Sequence, residues 1–132
     1  MLSLFPQILY LAPLGITLLR IAAGLTFLSL AYFHVMRSRE LSTIRFPVVG
    51  SGAWIVWLAI IFETLIGVAL VLGIYAQLAA LLGAVAAIKL LIWRKRYPQF
   101  FTLTRHTSAL LLVICLCLVV SGAGAYAFDL PL

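Results

Sequence analysis

Four apolar runs, each close to the length a helix needs to cross a bilayer, leave this chain little choice of fold. They cover residues 13–36, 53–72, 75–93 and 108–128. An α-helix rises about 1.5 Å per residue, so roughly 20 residues cross the hydrocarbon core. In that core the backbone finds no water to bond, and only helices or closed barrels satisfy it. The runs are continuous rather than alternating, which argues against a barrel. They fill most of the 132 residues, 66% of them hydrophobic and only 9% charged, so no separate soluble domain fits. The sequence predicts an all-α fold, a four-transmembrane-helix up-down bundle forming one domain over residues 1–132. Residues 1–12 lack a basic stretch and the first run is long enough to span, so no cleavable signal peptide is expected. Leu2, Phe5, Ile8 and Tyr10 are expected at the membrane interface.

The net charge of +6 would suggest nucleic acid in a soluble protein, but its placement argues for a membrane. Arg37, Arg39 and Arg45 fall between the first two runs, and Arg94, Lys95, Arg96 and Arg105 between the last two. The connection at Gly73 and Ile74 carries no charge. In an up-down bundle the two basic loops share one side. The positive-inside rule then places loops 37–52 and 94–107 in the cytoplasm and both termini outside a cell membrane. The partner these charges imply is the lipid bilayer, with its anionic headgroups, and not nucleic acid.

Local signals agree with the spans. Pro13 suits a first helical turn, where its missing N–H needs no partner. Trp54, Trp57 and Trp93 stand at run ends, where interfacial aromatics belong. The Phe100–Phe101 pair is expected to dip into the headgroups. Cys115 and Cys117 are two apart on one helix and cannot bridge each other. No Cys/His pattern with metal-ligand spacing occurs, so no metal site is expected. In the third run Ala79, Gly83 and Ala87 recur every fourth residue, beside a stripe of Ala76, Ala80 and Ala84. Small residues at that spacing let helix backbones approach closely, either inside the bundle or between copies in a homo-oligomer.

Three ionisable residues interrupt the runs: Arg20, Glu63 and Lys89. A charge held in lipid pairs, lines a cavity or serves a function. Arg20 stands seven residues past Pro13 and Glu63 ten before Gly73, so about 10 and 15 Å from the outer side. Matching depths predict an Arg20–Glu63 pair. It reads either as a structural clamp or as a polar ligand-binding pocket for a quinone headgroup, an anion or a proton, with Ser121 as a further donor. Lys89 and His34 are secondary polar residues of the inner face. Lys89 can snorkel to the headgroups, and His34 is read as an interfacial side chain. Arg20, Gly24, Phe27, Ala31 and His34 follow i+3/i+4 steps and line one helical stripe.

These residues carry a resemblance. Leu18-Leu19-Arg20-Ile21-Ala22-Ala23-Gly24 resembles the Leu-Arg-x-x-x-Gly opening of the DoxX family of small four-helix membrane proteins. Glu63-Thr64-Leu65-Ile66-Gly67 and Gln77-Leu78-Ala79-Ala80 resemble its central signature, and the tail from Gly122 through Gly124 and Tyr126 to Asp129 resembles its ending. The chain departs from the pattern at His34, where members often carry Lys. It departs again at His106, Thr107 and Ser108, where many carry an acidic residue, and at Ala125, where a basic one is common. The resemblance implies an accessory subunit of a quinone-linked or thiol- or sulfur-handling redox complex, with a membrane or cytoplasmic redox partner protein. No haem pair, dithiol or flavin motif is evident, so a bound quinone is the cofactor it leaves open, and catalysis is not implied. A small-molecule or lipid transporter and a non-catalytic membrane scaffold remain as alternatives.

Overall fold

The computed structural model describes residues 11–43, 45–46, 50–95, 98, 103–122 and 124. The expected interfacial segment up to Tyr10, the Phe100–Phe101 pair and the tail containing Asp129 lie outside them. Five helices are described: α1 (Ala12–Met36), α2 (Ser38–Ser42), α3 (Gly52–Leu72), α4 (Ala76–Trp93) and α5 (Arg105–Ser121). A short antiparallel ribbon pairs Arg45–Phe46 with Gly50–Ser51 ahead of α3. α1, α3 and α4 are long and apolar enough to cross a membrane, and α5 is a shorter apolar helix.

The ends of these helices follow from local chemistry. Pro13 lies in the first turn of α1. Gly73, at φ 72, closes α3 and lets its own N–H and that of Ile74 bond back to the carbonyl of Ala69. Tyr75 follows at φ 47, and α4 starts at once. The last apolar run departs from expectation at both ends. Thr104 caps α5 by accepting a bond from the Thr107 N–H, so the helix begins at Arg105 rather than at residue 108. It stops at Ser121 because Gly122 adopts φ 78 and Gly124 φ 72, conformations a helix cannot include. Its 17 residues reach about 26 Å.

Small and polar groups take much of the interior, beside large apolar side chains such as Phe27, Leu70 and Leu111, while many other large apolar side chains face out. Leu18, Leu25, Leu58, Leu65, Leu81 and Val85 are exposed, while Ala79, Ala80, Ala84 and Ala87 are buried. Between helices in lipid there is no hydrophobic drive, so close packing has to hold them. α1 packs chiefly on α3, and α4 on α5. The first interface closes on two glycines. A Cβ on Gly24 would stand 2.9 Å from the Gly67 carbonyl oxygen, and one on Gly67 would stand 3.0 Å from that of Gly24. At the centre, Phe27 of α1 is fully buried against Gly83 of α4 and Cys115 of α5. The stripe of Ala79, Gly83 and Ala87 is thus spent inside one chain, and contact between copies would need another face. A second cluster, of Leu30, Val56, Ala59, Ile60 and Leu90, fills the end of the bundle that carries α2 and the basic loops, the inner end by the sequence expectation, beneath Leu41 of α2.

Candidate functional site

Phe27, Gly83 and Cys115 meet at one level, and this contact fixes the register of α1, α4 and α5. Seven residues are two helical turns and return to the same face. Two turns inward from that level stand His34, Leu90 and Ser108, all buried. Two turns outward stand Arg20, Ala76 and Gly122. The buried polar groups therefore fall in two layers, separated along α1 by 14 residues or about 21 Å.

The inner layer holds the site. His34 is 0% exposed, and its Nδ1 lies 2.7 Å from Oε2 of Glu63, whose side chain is 8% exposed. At that distance one proton sits between imidazole and carboxyl. The Gly24–Gly67 contact explains how the two residues meet. Each Cα–Cβ bond tilts toward its own helix N-terminus. α1 runs inward and α3 outward, so His34 leans outward and Glu63 leans inward, and the side chains close on each other. Ser108 donates its hydroxyl to the carbonyl of Thr104.

The expected Arg20–Glu63 pair is not formed. Among the described residues the ion pairs are His34–Glu63 and Arg37–Glu40. The depth estimate aligned the outer ends of the two helices. The glycine contact instead sets α1 so that its first turns run past the outer end of α3. Arg20 then lies level with the start of α4, far from Glu63. Arg20 is buried, 1% exposed, and has interactions of its own. Ser121 is exposed, at the outer end of α5, and shares no site with Glu63. His34, read from sequence as interfacial, is instead wholly enclosed. The stripe of Arg20, Gly24, Phe27, Ala31 and His34 is buried along its whole length, as its spacing predicts.

Glu63 also reaches the other side of α3. It lines a cavity of about 60 Å³ between α3 and α4, with Ala59, Phe62, Val85, Ala86, Lys89 and Leu90. Phe62 and Val85 belong to the exposed apolar surface, so this cavity is a cleft that opens sideways. Lys89 is exposed at its edge. Small-molecule pockets commonly hold about 300–1,000 Å³, so the cleft admits a single functional group rather than a whole ligand. Beyond it the basic loops begin. Arg37 lies 4.9 Å over the Phe33 ring and 3.7 Å from Glu40, and Arg94 donates to the Leu103 carbonyl.

Sequence reading placed Lys89 and His34 together at the inner face and missed that Glu63 joins them. The available signal was a glycine in each of two neighbouring spans, Gly24 and Gly67, one of them a turn from Glu63.

Comparison with known proteins adds one finding. The family model described as DoxX matches residues 15–94, which spans α1 through α4. No curated protein and no solved structure matches the chain.

Proposed function

The chain belongs to the DoxX family of membrane proteins, and from that premise we propose that it is an accessory membrane subunit of a quinone-linked or thiol- or sulfur-handling redox complex. It acts as four spans running up and down, with α5 as the fourth. The loops bearing Arg37, Arg39 and Arg45 and bearing Arg94, Lys95, Arg96 and Arg105 lie in the cytoplasm, and both termini lie outside. The buried His34–Glu63 bond, beside a lipid-facing cleft edged by Lys89, is the observation that carries this reading. A purely structural clamp would need no opening onto the bilayer. Imidazole and carboxyl at 2.7 Å can accept and return a proton, which quinone and thiol chemistry both require. The chain supplies a polar site in the cytoplasmic half of the membrane, and its partner supplies the electron carriers.

The sideways opening of the cleft supports a second reading, a carrier for a lipid or small molecule. Extraction in mild detergent, followed by identification of co-purifying proteins and small molecules, separates the two. A redox enzyme held in constant ratio supports the first reading. Extraction of the chain without any redox protein would overturn it.

A further inference from the structure

We infer that the α3–α4 cleft binds the hydroxyl head of a lipid-soluble alcohol or phenol, entering from the bilayer between Phe62 and Val85. The inference rests on the inner layer being the working site and names the chemistry of its ligand.

The two walls of the cleft present opposite needs. On α3, the Glu63 carboxyl uses Oε2 for His34, and its other oxygen receives no hydrogen bond among the described residues. On α4, Lys89 makes no hydrogen bond or ion pair among them, and no salt bridge joins it to Glu63 across the gap. An acceptor and a three-proton donor thus flank one small space. A hydroxyl is the smallest group that satisfies both at once. Its proton goes to the free oxygen of Glu63, and its lone pairs accept from Nζ of Lys89. Ionised carboxylate and phosphate heads bring no proton for the free oxygen of Glu63, and ammonium heads offer Lys89 no lone pair. Ketones and ethers leave Glu63 without a donor. Size gives the same answer, because about 60 Å³ holds a hydroxyl and the carbon that bears it, with the apolar body outside. That body meets Phe62 and Val85, both already exposed on the apolar surface. Behind Glu63, His34 holds the carboxyl by Oε2.

The test is photolabelling of the full chain in lipid nanodiscs with 4-octylphenol carrying a diazirine on its alkyl chain. Unlabelled 4-octylphenol, 1-dodecanol and 4-octylanisole, the methyl ether that lacks the proton, serve as competitors. Labels are expected on the peptides holding Phe62 and Val85. Octylphenol should compete at least about tenfold better than the anisole, the factor one charge-assisted hydrogen bond supplies. Competition by dodecanol as well identifies any lipid alcohol as ligand, and competition by the phenol alone identifies a phenolic head. Lys89→Met should reduce labelling about tenfold, and Val85→Trp should block it by filling the mouth. Both residues are exposed, so both variants should fold and melt as the parent does. Labels spread evenly over the apolar belt, equal competition by the anisole, or full labelling of Val85→Trp would overturn the inference. Absent labelling with a redox partner still bound removes the cleft alone. Specific labelling with no partner removes only the redox reading.

Discussion

His34→Leu, Glu63→Leu and the double variant form a thermodynamic cycle whose outcome follows from the geometry. Both side chains are shielded, at 0% and 8% exposure, and the bond between them is 2.7 Å. Two unit charges at that distance attract by about 6 kcal/mol at an effective dielectric near 20, and desolvation returns most of it. Removing one partner strands the other, largely shielded from solvent. Each single change should therefore lower stability by ~3–5 kcal/mol. The double variant replaces both polar groups with apolar ones of similar bulk. It should cost less than the sum of the singles by about 2–3 kcal/mol, within the range for groups in direct contact. Interhelical hydrogen bonds in membranes average ~0.6 and reach ~1.7 kcal/mol, so a larger coupling marks an ion pair rather than a neutral bond. Reversible unfolding of the detergent-solubilised chain, read by helical circular dichroism, measures all four corners. Strict additivity would refute the contact and the inner layer built on it.

The same assay checks the corrected register. Arg20→Met and Glu63→Leu should add within about 0.5 kcal/mol, because the two residues share no contact and no common partner among the described residues; a large coupling would restore the Arg20–Glu63 pair. Gly67→Val should destabilise by ~1–3 kcal/mol through overpacking, since even its Cβ would stand 2.7 Å from Leu28 Cγ and 3.0 Å from the Gly24 carbonyl oxygen. If that variant unfolds like the parent, the glycines do not set the register. A reporter fused to the C-terminus should be active only outside the cytoplasm, as the basic loops require. Cytoplasmic activity would invert the topology.

What could be read from the sequence was whatever depends on one helix at a time. Apolar length gave α1, α3 and α4 to within a residue at each end. The i+3/i+4 steps from Arg20 to His34 gave a buried face because a helix repeats its direction whatever packs on it. The small-residue stripe of α4 was legible for the same reason, although only the structure shows it meeting Phe27 and α5. Register between helices was not legible. Depth counted from helix ends assumes that the ends are level, and α1 and α3 are offset by the approach of Gly24 to Gly67. That offset moved Glu63 from Arg20 to His34, two groups on one stripe that depth alone could not separate. The end of α5 was missed because residues 122–128 remain apolar enough to extend the run. The left-handed backbone at Gly122 ends the helix, and hydropathy does not register it.

The most direct measurement is solid-state NMR on the chain in lipid bilayers, with nitrogen-15 in histidine and carbon-13 in the glutamate carboxyl. His34 and Glu63 are each one of very few such residues, so the coupling between Nδ1 of His34 and the Glu63 carboxyl carbon can be assigned with His34→Leu as reference. A bond of 2.7 Å from Nδ1 to Oε2 predicts strong dipolar dephasing that vanishes in the variant. Absence of dephasing in the parent would show that the two residues do not meet, and the inner polar layer would have to be abandoned.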